Sequence, residues 1–334
     1  MSEKLKDLML KLLKTVVPLV FGVIILYLLL KVLPVNEMIL ILKQDVNFSI
    51  IILSLPFCLF ANIARALRWN LLITPLGFKP RKFNLIYAVL GNYGVNLAIP
   101  RLGEVWRCSM ITQYEKIPFT KLIGTVVTDR LADTIVVLLI FIVSFVLNIS
   151  YFSSFFVQHP NFYEPVYALV TSFWLYAGFA VVVLAIWLCF KVFKENAFIK
   201  KIKNTLFGIW EGIRSIAQMK QRGLFLFYTC LIWIGYFLSL YICLFAFPFT
   251  KDLGMNCGLI VFGIGSLMMA VPVQAGIGAW HSAVIAVLMG FGLSLTDAGA
   301  FAFTVHTIQA IIFTAMFGLF GIFALPIANR KTKK

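Results

Sequence analysis

The sequence predicts an all-α polytopic membrane protein with about six transmembrane helices and two re-entrant helical hairpins arranged as an inverted repeat. The first observation is composition: 61% of the 334 residues are hydrophobic, and mean hydropathy is +0.97. The second is that several separate apolar runs are long enough to cross a bilayer about 30 Å thick. The third is that two shorter apolar runs end in Pro and Gly rather than in an ordinary loop.

Six apolar runs have the length of a full transmembrane helix. They cover residues 16–33, 48–67, 122–148, 166–190, 224–248 and 298–326. Lysines precede the first run, as in a signal peptide, but no small-residue cleavage site follows it. We therefore expect that run to remain as an uncleaved span.

The shorter runs, 83–99 and 257–273, are interpreted through the distribution of positive charge. The chain has 29 Lys and Arg against 13 Asp and Glu, and membrane proteins keep basic residues on the cytoplasmic side. If 83–121 enters and leaves on that side and 257–297 does so on the opposite side, the outer segments hold only Lys43 and Lys251. The charge bias thus predicts two re-entrant hairpins in a multi-pass cell inner membrane protein whose N- and C-termini are both cytoplasmic.

Two further segments have the apolar spacing of helices that lie on a membrane surface. One is the N-terminal segment 1–15, and the other is the cytoplasmic amphipathic loop 191–223. We expect residues 1–334 to form one transmembrane domain, with a first repeat half at 48–148 and a second at 224–326.

The repeat is predicted from two similar helix breaks. Each break contains Pro and Gly and is followed by one polar residue directly after it and another inside the next span. These residues are Pro100, Gly103, Glu104 and Arg130 in the first half, and Pro272, Gly276, Gly278, His281 and His306 in the second. Inverted repeats with broken helices near the midplane are a design of secondary transporters.

Charged residues cluster around the first break and in the span that follows it. Ionisable groups inside a membrane are costly, which makes them candidates for function. Arginine suits phosphate oxygens, so we expect a lipid headgroup to be bound by Arg65, Arg68, Arg101, Arg107 and Arg130. Glu104, Asp129 and Asp133 are expected to orient these arginines. The alternative is structural ion pairing of Glu104 with Arg130 and of Asp133 with Arg101 or Arg107.

Four polar residues of the second half are expected to line the same cavity: Gln274, His281, His306 and Gln309. The two histidines are either a proton-responsive pair or hydrogen-bonded packing residues. The six cysteines lack metal-ligand spacing, and we expect no metal or cofactor. Catalytic motifs are missing from the sequence, so we expect no enzyme. Basic residues are spread over short loops, which argues against nucleic-acid binding.

Three stretches carry a resemblance to a known family: "GNYGVNLAIPRLGEVWR", "TVVTDRLADTIVVLL" and "VPVQAGIGAWHSAVIAVLMGFGLS". They resemble the lysylphosphatidylglycerol synthase transmembrane region, also called the flippase-like domain family. The resemblance implies lipid translocation, the role given to this domain in multiple peptide resistance factors. Those proteins also carry a soluble aminoacyltransferase domain, and because this sequence ends at Lys334, just past the last expected span, we expect no lysyl transfer. His281 and His306 depart from the Glu and Arg of many members.

The expected function is that of a lipid translocase, which binds an anionic phospholipid or lipid-linked headgroup in a central Arg-rich cavity. Two alternatives remain open at this point. The protein could present a polyprenyl-phosphate or a lipid-linked glycan to a partner enzyme such as a glycosyltransferase, or it could transport a small soluble anion.

Overall fold

The structure is a computed structural model that describes residues 24–99, 101–158, 219–271 and 273–330, with isolated positions at 20, 172–173, 177–178, 181, 184 and 191. Regular structure in these residues is helical, without strands. The expected surface segment 1–15 and the breaks at Pro100 and Pro272 lie outside the described residues, as does most of 166–190 and of 191–223. Residues 1–144 and 221–334 form one unit, and 145–220 form a second.

Twelve α-helices lie within the described residues. They are α1 (Ile24–Val32), α2 (Val35–Gln44), α3 (Phe48–Ile73), α4 (Lys82–Ala98), α5 (Leu102–Glu115), α6 (Phe119–Leu147), α7 (Ile149–Gln158), α8 (Arg222–Leu244), α9 (Gly254–Met268), α10 (Ala279–Gly290), α11 (Leu295–His306) and α12 (Phe313–Ala328). A π-helical turn, Thr307–Ile312, joins α11 to α12. In the second unit, α7 packs its Phe152 ring against Phe145 at 4.7 Å.

Four helices of the described chain are long and apolar enough to cross a membrane: Phe48–Leu76, Phe119–Leu147, Arg222–Leu244 and Leu295–Ala328. They correspond to the expected spans 48–67, 122–148, 224–248 and 298–326. The pair α1 and α2, bent by 80°, qualifies as a fifth span if it is counted as one. The all-α membrane fold is confirmed, whereas the expected number of six spans is not established by the described residues.

The first expected hairpin is formed by α4 and α5. At its base, Arg81 Nε donates to Glu115 Oε1 at 3.0 Å. At its tip, the Gly103 N–H donates to Asn96 Oδ1 at 2.7 Å. The two helices have 17 and 14 residues, which at 1.5 Å per residue is about 25 and 21 Å. The outer ends of the two helices therefore lie together, and both helices are shorter than the roughly 30 Å hydrocarbon thickness of a bilayer.

The second hairpin is formed by α9 and α10, with 15 and 12 residues. Gly265 of α9 lies against Trp280 of α10, where a Cβ would come within 2.8 Å of the indole Nε1. Between these helices the backbone is left-handed at Ala275, with φ 49°, and at Gly276, with φ 70°. The first tip has the same feature at Arg101, with φ 65°. A left-handed backbone costs a non-glycine residue about 1–2 kcal/mol, and such strain clusters at functional sites.

Helix directions in the second half are opposite to those in the first. Residue numbers that rise along α3 meet falling numbers along α8, in the pairs Ser54 with Cys243, Cys58 with Ser239, Asn62 with Tyr236 and Arg68 with Thr229. The same holds between α4 and α12, in the pairs Asn84 with Asn329 and Gly94 with Gly318, and between α6 and α9, in the contacts of Ser144 with Leu259 and of Ile140 and Ser144 with Gly263. The first helix of each hairpin, α4 or α9, thus packs against the last span of the other half, α12 or α6, as in an inverted repeat.

The α4–α12 contact predicts a stability effect. A Cβ on Gly321 would lie 2.5 Å from the Tyr87 carbonyl oxygen and 2.6 Å from the Gly91 nitrogen. Because backbone atoms cannot move aside cheaply, Gly321→Ala is expected to destabilise the protein by roughly 1–3 kcal/mol. The matched control is Gly124→Ala in α6, where nothing lies within 4 Å and alanine is the better helix former. Thermal unfolding in detergent should show a lower midpoint for the first variant only.

Candidate functional site

The two hairpin tips meet inside the first unit. The side-chain amide of Gln274, in the second tip, donates to the backbone carbonyl of Leu97 in the first, with the Asn96 carbonyl oxygen 3.4 Å away. These carbonyls end α4 and have no partner within their own helix. A single side chain therefore links the two halves of the repeat at their breaks.

A cavity of about 640 Å³ lies beside this junction, within the range of small-molecule and cofactor sites. Its charged residues are Arg65, Arg130 and Asp133, and its polar residues include Asn62, Tyr93, Asn96, Tyr236, Ser266, His306 and Gln309. The remaining wall is mostly apolar, with residues such as Leu90, Val137, Leu138, Phe262, Met269, Phe313 and Phe317. Such a cavity suits a ligand that has both a charged group and an apolar body.

Two of the arginines predicted to bind a headgroup are hydrogen-bonded to protein carboxylates, and in Arg65 the buried Nε has no hydrogen-bond partner. Arg68, which is 0% exposed, donates from Nε and Nη2 to Asp129 Oδ1 at 3.0 and 2.7 Å and from Nη2 to Asp133 Oδ1 at 2.7 Å. Its Nη1 donates to Thr229 at 3.3 Å. Arg65 is buried and donates from Nη1 to Asp133 Oδ2. These bonds fasten α3 to α6 and α8.

Two other predicted arginines are only loosely paired. Arg107 Nη2 lies 3.7 Å from Asp129 Oδ2, and Arg130 lies 3.9 Å from Glu104 and 3.8 Å from Asp133. These separations exceed the 2.7–3.2 Å of a hydrogen bond to oxygen. Arg107 is fixed instead by stacking on the Trp69 ring, 4.6 Å from its centroid. Both side chains therefore have donors to offer a ligand.

The fifth arginine, Arg101, is placed differently. It is exposed, lies just before α5 and is not among the residues of the cavity wall. The alternative pairing of Asp133 with Arg101 or Arg107 is wrong, because Arg65 and Arg68 of α3 bind that carboxylate. The expected pairing of Glu104 with Arg130 is present at 3.9 Å.

In the second half, both histidines bind backbone atoms of the broken segment. His281 Nδ1 accepts from the Gly278 N–H at 3.2 Å, and His306 Nε2 lies 2.8 Å from the Ala275 carbonyl oxygen. Their ring centroids are 4.3 Å apart. Of the two interpretations left open by the sequence, this geometry favours hydrogen-bonded packing residues that hold the break.

The second half contributes two of its predicted residues to the cavity wall, His306 and Gln309, while Gln274 and His281 stand behind it. Gln309 lies in the π-helical turn, a feature frequent at functional sites. Its amide donates to Ser54 Oγ and to the Ser239 carbonyl, each at 2.9 Å. Gln309 thus ties the closing span to both α3 and α8.

Sequence reasoning did not select Asn62, Tyr93 and Tyr236 of the wall. Tyr236 donates from its hydroxyl to Asn62 Oδ1 at 3.3 Å, and the Arg65 guanidinium lies 5.8 Å from the Tyr236 ring centroid. Tyr93 lies beside Arg65 and Arg130. A polar residue inside an apolar run was the available clue for Asn62, but tyrosines are too common in membrane helices to be selected by type.

The cluster as a whole has a surplus of one positive charge. Four arginines, Arg65, Arg68, Arg107 and Arg130, face three carboxylates, Glu104, Asp129 and Asp133. In the membrane interior an uncompensated charge is expensive. An anionic ligand would neutralise this surplus.

Two helical hairpins that enter from opposite sides and meet tip to tip, beside a charged cavity, define a multi-pass α-helical membrane protein of inverted-repeat type. The sequence model of the lysylphosphatidylglycerol synthase transmembrane region family matches residues 15–316, and the chain belongs to that family. The resemblance found from the sequence is thereby confirmed. Comparisons with curated proteins and with solved structures give no match.

Proposed function

We propose that this protein is a lipid translocase that binds the anionic headgroup of a phospholipid or lipid-linked molecule at the charged residues of the cavity. The observation that carries the proposal is the surplus positive charge of the cluster that contains Arg130. The Arg130 side chain lines the cavity and is 35% exposed. Phosphate is the nearest anionic group in a membrane, and arginine binds it with several donors. Family membership supports a lipid-related role.

The shape of the cavity supports a lipid rather than a small soluble anion. Among the described residues, Leu138 and Met269 belong to the wall and are also 48% and 47% exposed. Apolar residues that line a cavity and also reach the protein surface provide a path for acyl chains. The headgroup would occupy the cavity while the chains stay in the bilayer.

The transport step needs no covalent chemistry, and we propose no enzymatic activity. Arg130 would hold the headgroup phosphate, with Glu104 and Asp133 orienting the guanidinium from 3.9 and 3.8 Å. Separation of the two hairpin tips would open the cavity to alternate leaflets, as in other inverted repeats. Without coupling to an ion gradient, this movement equilibrates a lipid between leaflets.

Charge distribution supports an orientation in the cell inner membrane with cytoplasmic termini. The end of the molecule at the base of the first hairpin holds Lys79, Arg81, Lys82, Lys116, Lys121, Arg222 and Arg330. The opposite end holds Glu37, Lys43, Asp45, Lys251, Asp252 and Asp297. Basic residues mark the cytoplasmic end.

A leaflet-accessibility assay tests the proposal. Proteoliposomes containing fluorescently labelled phosphatidylglycerol or phosphatidylcholine are treated with an impermeant quencher, and loss of the protected inner signal is timed. The protein should accelerate transfer of the anionic lipid more than of the zwitterionic one. Arg130→Gln should slow that transfer about 10- to 100-fold, because a hydrogen bond to a charged group contributes about 1.5–3 kcal/mol. The matched control is Arg222→Gln, at an exposed arginine outside the wall.

Three other outcomes would contradict the translocase. Transfer no faster than in empty vesicles would overturn it. Lipid binding that depends on Arg130, without transfer between leaflets, would favour a different role. The protein would then present a polyprenyl-phosphate or lipid-linked glycan to a partner such as a glycosyltransferase. Flux of a soluble anion without lipid transfer would favour a small-anion transporter.

A further inference from the structure

A seam of charged residues runs between α5 and α6, from the cavity wall at Arg130 to the fully buried Arg107. Glu104 and Arg107, three residues apart on α5, face the consecutive residues Asp129 and Arg130 on α6, with separations of 3.9 Å for Glu104–Arg130 and 3.7 Å for Arg107–Asp129. Arg130 borders the cavity, whereas Arg107 does not. Because Asp129 and Arg130 are consecutive, the two contacts are neighbours along the seam.

Most donors in this seam have no acceptor. Arg107 is 0% exposed, and its Nε, Nη1 and Nη2 all lack a hydrogen-bond partner. Nε and Nη2 of Arg130 are buried and unbonded as well. By contrast, all three nitrogens of Arg68, in the same cluster, are bonded. An unsatisfied buried donor is destabilising, and more so when it is charged, so five of them in one seam indicate a missing acceptor.

The chemistry of the missing acceptor follows from the donor set. Five unbonded donors face one unbonded acceptor atom, Asp129 Oδ2, which argues against a cation. Water could accept some of these bonds but would leave the surplus positive charge in place. A phosphate has several acceptor oxygens and a negative charge, and planar guanidinium groups match its geometry.

We propose that Arg107 and Arg130 form a phosphate subsite in the α5–α6 seam, with Arg130 at its entrance from the cavity and Arg107 at its inner end. The assignment to a lipid phosphate rests on the proposed translocase function; a free phosphate ion would supply the same chemistry. Trp69 keeps the Arg107 plane fixed for the ligand. Glu104 and Asp133 would orient the Arg130 guanidinium toward the phosphate.

Binding to the full-length protein in detergent tests the subsite. Inorganic phosphate and short-chain dihexanoyl phosphatidylglycerol are titrated by calorimetry, with chloride and glycerol as probes that lack a phosphate. Arg130→Gln and Arg107→Lys should each weaken phosphate binding at least tenfold, and Arg222→Gln should leave it unchanged. Arg107→Lys keeps the buried charge but loses the planar fork, and its thermal midpoint reports whether it folds; if it does not, Arg130→Gln alone carries the test.

The outcomes separate the subsite from the translocase function. Binding of both phosphate and the short-chain lipid, with the same dependence on the two arginines, supports a lipid phosphate. Binding of phosphate alone supports a site for the free ion and removes support from the translocase. The subsite is overturned if the folded variants bind phosphate normally, or if the protein binds no phosphate at all. If lipid transfer persists in either case, the translocase function still stands.

Discussion

Arg68→Gln is expected to destabilise the protein by about 3–5 kcal/mol, the usual cost of removing one partner from a buried ion pair. Arg68 and Asp129 are both 0% exposed. Arg68 donates two hydrogen bonds to Asp129 Oδ1, at 2.7 and 3.0 Å, and these bonds join α3 to α6. Glutamine cannot reach both Asp129 and Asp133, so a buried carboxylate would lose its counter-charge. Chemical unfolding in detergent micelles, followed by circular dichroism, measures the loss.

A double-mutant cycle separates this ion pair from general damage to the core. Arg68→Gln combined with Asp129→Asn should be less destabilising than the sum of the two single variants, because the second change removes the unpaired charge. Arg222→Gln, an exposed arginine at the start of α8, should change stability by less than about 0.5 kcal/mol. A wild-type unfolding midpoint for Arg68→Gln would show that the pair does not hold α3 against α6.

The helix breaks and the antiparallel halves could be predicted from the sequence because their causes are local or cumulative. A cluster of Pro and Gly at the end of an apolar run favours a helix break, and positive charges mark a side of the membrane regardless of packing. The sequence also predicted that Glu104 lies near Arg130, because they belong to α5 and α6, which are joined by a short connection. Directions of the helix pairs in the structure agree with the inverted repeat derived from Arg101–Arg107 and its counterpart around His281.

The bonding state of the arginines could not be predicted from residue type. Asp129 and Asp133 share one face of α6, but the sequence does not say which neighbouring helix packs against that face. The structure places α3 there, so Arg65 and Arg68 are hydrogen-bonded to those carboxylates, while Arg107 and Arg130 have only long contacts with carboxylates. Five arginines that look equivalent in the sequence therefore divide into hydrogen-bonded, loosely paired and exposed groups.

Gln274 shows a second limit of sequence reasoning. Its type and position predicted a cavity-lining amide, yet in the structure it bonds the carbonyls that end α4. Broken helices leave carbonyls without partners, and a nearby amide is the simplest donor to satisfy them. The polar residues of a break can therefore bind the opposite break rather than a ligand, and the sequence does not separate these roles.

Linking the two tips covalently is expected to abolish lipid transfer. Leu97→Cys and Gln274→Cys replace the residues whose backbone and side chain meet at the tips, in a variant whose six native cysteines are alanine. A short bifunctional thiol reagent with a reducible linker should bring transfer down to the rate of empty vesicles, because alternate access requires one half to move against the other. The leaflet-accessibility assay measures the rate before linking, after linking and after reduction.

Single-cysteine variants are the controls for the cross-linking experiment. Each single-cysteine variant treated with the same reagent should keep the transfer rate that it had before treatment, which separates cross-linking from thiol modification. The Gln274→Cys variant also loses the amide that joins the tips, so its own rate should be no lower than that of the cysteine-free parent if separating the tips is the slow step. Full transfer in the linked protein would show that the tips stay together and that the lipid passes outside them, along the α6 side of the cavity where Leu138 lies exposed.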